Sequence, residues 1–276
     1  MNQFDPAVQD LNDAVKIDPA FSEAYYRLGK VYRLQKPPDL VKSLASYNKA
    51  IELDGKNADY YEGLGNCLWD MKEHDKAFQA YNKMIELKGP RLAANYETRS
   101  FRYGILREYD KAIADDSMCI QLKPDEGNYY NNRGWDYIMN GQLDKAIPDI
   151  NKSLELNPNN LHTWDTRGWY YYNMGNVNQA IEDLNRALSI DAKDDTILGH
   201  RGTCYFTTKE YAKSIADLNK AIDLNGKNAD AYLYRGLCYK ILDQPDKAIS
   251  DFQSTVNFSD DKNLTKRAMD ELKTLK

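Results

Sequence analysis

The chain of 276 residues is poor in the features that mark most enzymes and membrane proteins. Its four cysteines include no Cys-x-x-Cys pair, which argues against a zinc ribbon or a dithiol redox centre and permits a reducing compartment. No apolar run approaches the roughly 18 residues needed to span a bilayer. The opening Met-Asn-Gln-Phe-Asp-Pro lacks the basic and apolar regions of a signal peptide. These two absences favour a cytoplasmic location. There is no excess of positive charge either, since 37 Lys plus Arg stand against 42 Asp plus Glu for a net of -5, and nucleic-acid phosphates would meet no general attraction. A Walker loop, a dinucleotide fingerprint, a Gly-x-Ser-x-Gly elbow and an HExxH pair are all missing. Catalysis therefore has little to stand on, and neither an enzyme nor a cofactor is expected.

What the chain does have is a beat of 34 residues. Arg99, Arg133, Arg167, Arg201 and Arg235 fall one period apart, and Ala112, Ala146, Ala180, Ser214 and Ala248 follow each Arg by thirteen positions. A fixed period in this range means stacked structural repeats rather than a single globular core. Within one period, Tyr130, Arg133, Gly134 and Tyr137 stand at i, i+3, i+4 and i+7, the stripe of an amphipathic helix, and the run Asn140 to Gln142 ends it. Ala146, Ile147, Ile150 and Leu154 form a second stripe, which Asn157 and Pro158 stop. Each repeat thus reads as two antiparallel helices.

The pattern resembles the tetratricopeptide repeat, with a small residue at repeat position 8, Tyr at 11, Ala at 20 and 27, and Pro at 32. The resemblance implies an all-α fold, a right-handed α-α superhelix of antiparallel helix pairs. Seven repeats are assigned to 22–57, 58–92, 93–126, 127–160, 161–194, 195–228 and 229–262. Position 8 holds Gly29, Gly65, Ser100, Gly134, Gly168, Gly202 and Gly236, where close approach of helix backbones is expected to exclude larger side chains. Cys67, Cys204 and Cys238 share position 10 and Cys119 lies at position 27, so all four read as small buried hydrophobes.

Departures from the pattern fall at loops and ends. Extra residues around Lys36, Pro37 and Pro38 predict a longer turn inside repeat 1, and Gly89-Pro90 lengthens the exit from repeat 2. Pro148 sits early in a second helix and need not break it. Residues 1–21 match only the second helix of a repeat, with Asp5 and Pro6 as a capped start, which points to a piece of a longer protein. Leu264, Ala268, Leu272 and Leu275 predict a capping helix over 263–276.

The arginine row has two readings. It is either a track for phosphate or carboxylate or one half of a set of structural ion pairs. The pairs are favoured, because an Asp follows each Arg by sixteen residues: Arg99 with Asp115, Arg133 with Asp149, Arg167 with Asp183, Arg201 with Asp217, and Arg235 with Asp251. Where repeats 1 and 2 have Leu28 and Leu64, the Asp slot holds Ser46 and Ala80. The joint loss argues for pairing between the two helices of one repeat.

In the family, positions 2, 5, 6, 9, 12 and 13 of each first helix line the concave groove. The resemblance therefore implies that partner contacts come from Arg27 and Lys30 in repeat 1, Asn66 in repeat 2, and Glu97 and Phe101 in repeat 3. Repeat 4 supplies Asn131, Asn132 and Trp135, and repeat 5 Asp165, Thr166, Trp169 and Tyr172. Repeats 6 and 7 add His200, Thr203, Phe206, Tyr234, Leu237 and Lys240. Phe101, Trp135 and Trp169 recur at position 9 among amide and hydroxyl side chains, a combination suited to gripping an extended peptide. The alternative is that these rings pack between helices as core. Asn132 matches the backbone-holding Asn of the O-linked N-acetylglucosamine transferase type, but Thr98, Thr166 and His200 replace it in the neighbouring repeats. No three successive repeats supply the carboxylate clamp of chaperone-binding members. His162, His200 and Asp165 form a conceivable metal cluster, yet scattered groove histidines are commoner and no metal is expected.

Three functions follow in order. The first is a protein-interaction module binding an extended peptide or partner helix in the groove. The second is a substrate-selecting segment of a larger enzyme or transport machine. The third, RNA binding by base stacking on Trp135 and Trp169, is disfavoured by the acidic balance. The pattern leaves the oligomeric state open.

Overall fold

The computed structural model describes residues 5–275, with the side chain of Asp5 excepted. These residues form sixteen α-helices and no strand. The chain divides into two compact units, one ending at Pro124 and the other beginning at Asp125. The expected half repeat at the start keeps only its part beyond residue 4 within the described chain, and the Asp5 cap lies outside it.

The first unit contains α1 (Asp5–Ile17), α2 (Ser22–Leu34), α3 (Leu40–Leu53), α4 (Ala58–Asp70), α5 (His74–Glu86), α6 (Leu92–Ile105) and α7 (Tyr109–Leu122). α2 packs along α3, α4 along α5 and α6 along α7, while α1 leans on α2. The second unit contains α8 (Gly127–Met139), α9 (Leu143–Leu156), α10 (Leu161–Asn173), α11 (Val177–Ile190), α12 (Asp195–Thr207), α13 (Tyr211–Leu224), α14 (Ala229–Ile241), α15 (Pro245–Phe258) and α16 (Lys262–Thr274). Here α8 pairs with α9, α10 with α11, α12 with α13 and α14 with α15, and the first helices α8, α10, α12 and α14 lie side by side.

Local chemistry sets the boundaries. Asn57, Asn160, Asp194 and Asn228 cap first helices by accepting from backbone N–H groups one turn in, satisfying donors that have no partner inside the helix. The three-residue turns between paired helices each use one left-handed residue. Gly141 (φ 72°) and Gly175 (φ 78°) supply it in two repeats, while Lys72, Arg107, Lys209 and Asp243 adopt it elsewhere. The turn of repeat 1 spans 35–39, longer than the others, and α9 runs unbroken through Pro148.

The small residues at position 8 have a different cause from the one the sequence suggested. A Cβ on Gly168 would meet Leu184 Cγ at 2.9 Å, one on Gly65 would meet Tyr81 at 2.4 Å, and one on Gly236 would meet Phe252 at 2.8 Å. The space is filled by a large side chain from the partner helix more than by its backbone. Leu184, Leu218 and Phe252 are consequently fully buried core residues. In repeat 3 Ser100 takes the glycine slot, and the large apolar side chain opposite is replaced by buried Asp116.

The four cysteines are buried and unpaired. Burial pushes the Cys204 thiol up to about 12 and lifts Cys119, beside Asp116, as well, so neither forms a thiolate at neutral pH. At the end of the second unit, α16 covers α15 with buried Ala268 flanked by Leu264, Leu272 and Leu275.

Candidate binding surface on the first helices

The arginine row is saturated from within. Arg167 Nε donates to Asp183 Oδ2 at 2.7 Å and Nη2 to Oδ1 at 2.8 Å. The same fork joins Arg99 to Asp115, Arg133 to Asp149, Arg201 to Asp217 and Arg235 to Asp251. Two parallel bonds to one carboxylate fix the guanidinium plane. Nη1 of Arg99, Arg201 and Arg235 also donates to Asn82, Asn185 and Asn219, which belong to the second helix of the preceding repeat. Each of these arginines therefore ties its own helix pair together and ties that pair to its neighbour. Arg167 adds a contact over the Trp164 ring, 4.5 Å from the centroid.

The second unit carries a strip of partly buried rings across α8, α10 and α12. Trp169 stacks on His200 with centroids 4.3 Å apart and on Tyr172 at 4.8 Å, and Trp135 lies 6.2 Å from the same imidazole. His200 is held by Asp165, with Nδ1 2.7 Å from Oδ1, and Asp165 itself is only 8% exposed. Burial opposes the imidazolium, but the Asp165 carboxylate outweighs it and the His200 pKa rises above its ordinary value. Asn173 Nδ2 donates to the Trp169 carbonyl at 2.7 Å, and Phe206 meets Tyr234 edge-on at 5.6 Å. The rings of the strip thus brace one another, and the His200–Asp165 pair lies within it.

Several expected contacts fall away. Thr166 and Thr203 are each 3% exposed and bond back to their own helix, to the carbonyls of His162 and Gly199. Leu237 is buried too. Leu237 belongs to a core cluster with Phe252 and Ala268, and none of the three presents much side chain at the surface. Asn132 is partly buried, and Asn131 Oδ1 is buried without a hydrogen-bond partner among the described residues. His162 is exposed while His200 is engaged by Asp165.

In the first unit, Arg27 and Lys30 are exposed, with Arg27 Nε on Glu23 at 2.7 Å, and Glu97 is half buried. Phe101, at 64% exposed, belongs to this unit, whereas both indoles of its series belong to the other. Asn66 Oδ1 accepts from Tyr81 Oη at 2.9 Å and from Arg102 Nη2 at 3.0 Å. Arg102 was missed by sequence reasoning because position 10 read as packing. The available signal was an Arg where other repeats place Cys67, Cys204 and Cys238.

Stacked helix pairs, a glycine facing a bulky side chain in every pair but that of repeat 3, and aromatic first helices define a helical repeat protein. The chain belongs to the tetratricopeptide repeat family: models of that repeat match residues 39–91, 127–160, 162–194, 196–228 and 218–250. It is similar to the UDP-N-acetylglucosamine–peptide N-acetylglucosaminyltransferase of Giardia intestinalis, 39% identical over 77 residues. That stretch is 27% of this chain and 5% of the transferase. Among solved structures, a tetratricopeptide repeat protein from Parabacteroides merdae superposes with a TM-score of 0.77 at 20% identity, over 92% of this chain and 98% of that one. Yeast Tom70 superposes with a TM-score of 0.72 at 15% identity, over 99% of this chain and 58% of its own. At these identities the likeness establishes the fold. No helix of the described residues is long and apolar enough to cross a membrane.

Proposed function

We propose that the chain is a protein-interaction scaffold whose second unit captures an extended peptide or partner helix on its first helices, the face that lines the concave groove in the family. The observation that carries this reading is the row of partly buried rings Trp135, His200, Trp169 and Tyr172, which stack on one another around an imidazole held by Asp165. Rings already stacked and pinned lose little freedom when a ligand covers them, and buried indoles commonly dominate the energy of an interface. Partly buried Asn132, on the same helix as Trp135, is the residue that would meet a peptide backbone. A cytoplasmic setting and the absence of catalysis belong to this proposal.

The local similarity to a peptide-modifying transferase favours one second reading, in which the chain selects substrates for a domain outside it. Both readings predict the same surface. The test is affinity capture from native lysate with the intact chain and with Trp135→Ala/Trp169→Ala, compared by quantitative mass spectrometry. Selective loss of one or a few proteins supports the proposal. An unchanged set of captured proteins moves the interface elsewhere, and loss of bound RNA instead replaces peptide by nucleic acid.

A further inference from the structure

A second surface, on the first unit and independent of the aromatic strip, carries its own ligand chemistry. Arg27, Arg33, Arg91 and Arg99 of this unit each meet a carboxylate: Glu23, Asp70, Asp59 with Glu62, and Asp115. Arg102 meets none among the described residues. Its Nη2 donates to Asn66 Oδ1 at 3.0 Å, the Tyr81 hydroxyl lies beside it, and its Nε is buried without a hydrogen-bond partner among the described residues. The guanidinium rests 4.7 Å from the Trp69 ring centroid and 5.7 Å from that of Phe101, so two rings hold its position. The nearby Asp70 already pairs with Arg33 at 3.0 Å.

We propose that Arg102, steadied by Trp69 and Asn66, docks the carboxylate of an Asp or Glu side chain in a partner peptide, with exposed Phe101 covering an apolar neighbour of that residue. A half-buried guanidinium without a counter-ion costs stability, and an incoming carboxylate offsets that cost while forming charge-assisted bonds. Rings that hold the fork in advance lower the ordering penalty on binding. The inference shares with the proposed function only the premise that peptides are what the chain captures.

The test pans a library of displayed random dodecapeptides, fused at their C-termini so that no terminal carboxylate is free, against the full chain. The selected peptides are then synthesised with amidated ends and titrated by fluorescence anisotropy. Acidic residues beside an apolar one should be enriched, and Arg102→Met or an acid-to-amide change in the peptide should each weaken binding about tenfold. Combining the two changes should cost no more than either alone. Arg102→Met should melt at or above the wild-type temperature, which separates a docking residue from a structural one. Should that variant fail to fold, the peptide-side change against the intact chain still decides the matter. Selected peptides without Asp or Glu, no enrichment, or equal binding of acid and amide forms overturns the proposal, as does binding only of peptides with a free C-terminus. Peptides that lose binding with Trp135→Ala/Trp169→Ala and keep it with Arg102→Met leave the aromatic reading standing and remove this one.

Discussion

Removal of Asp183 is the perturbation whose cost follows most directly from the geometry. Its side chain is 9% exposed, that of Arg167 is 22% exposed, and the two are joined by bonds of 2.7 and 2.8 Å. Asp183→Ala leaves the guanidinium over Trp164 with no acceptor at either bonded nitrogen. Breaking a buried pair in this way costs about 3 to 5 kcal/mol, and the partial exposure of Arg167 gives water a route to the stranded charge, so the lower end, about 3 kcal/mol, is expected. Replacing both partners, Arg167→Leu with Asp183→Ala, recreates the Leu64 and Ala80 arrangement of repeat 2, where Ala80 is 5% exposed and Leu64 is partly buried. Apolar groups of fitting size in place of a buried pair are often nearly neutral, so about 1 kcal/mol or less should be lost. Neighbouring repeats couple only through their interfaces, so the loss should concentrate in α10 and α11. Urea denaturation gives the total, and amide hydrogen exchange resolved by helix locates it. Equal losses for the single and double variants, or a loss spread evenly over both units, would refute the reasoning.

Two further outcomes follow from the second unit. Gly168→Ala places a Cβ 2.9 Å from Leu184 Cγ and 3.2 Å from the Ala180 carbonyl, so the α10 and α11 pair must spread; a loss of about 1 to 3 kcal/mol in urea titrations is expected, and none would mean that the slot tolerates a methyl group. His200 has a raised pKa in the folded state, so the stability it contributes is fully present below its unfolded value near 6.5 and is lost as pH rises through the folded value. The imidazole should titrate by NMR above about 6.5 in the intact chain and fall back in Asp165→Asn, whereas a midpoint at or below 6.5 in the intact chain contradicts the ion pair.

The fold was legible because one short motif recurs with its small, aromatic and apolar positions in step, and each recurrence constrains the same pair of helices. The Arg and Asp series was legible for a similar reason: Leu28 and Leu64 occur where the Asp is also missing, which ties one position to the other. Contacts between repeats were harder to read. Asn82, Asn185 and Asn219 look like ordinary polar residues in sequence, and only the placement of successive second helices brings them to Nη1 of Arg99, Arg201 and Arg235. Thr166 and Thr203 hold groove positions by count, yet in the fold both are buried and their hydroxyls bond back to their own helix. Position 10 carries Cys67 in one repeat and Arg102 in the next, so its role depends on the side chain and not on its place in the period.

The central claim is that Trp135 and Trp169 form a ligand surface, and their indole N–H resonances test it directly. The chain has four tryptophans, and Trp164 Nε1 is already committed to the Pro158 carbonyl at 2.8 Å. When a peptide obtained by panning is added to the intact chain, the Trp135 and Trp169 resonances should shift or broaden while that of Trp164 stays in place. Saturating peptide that leaves both unmoved would contradict the account.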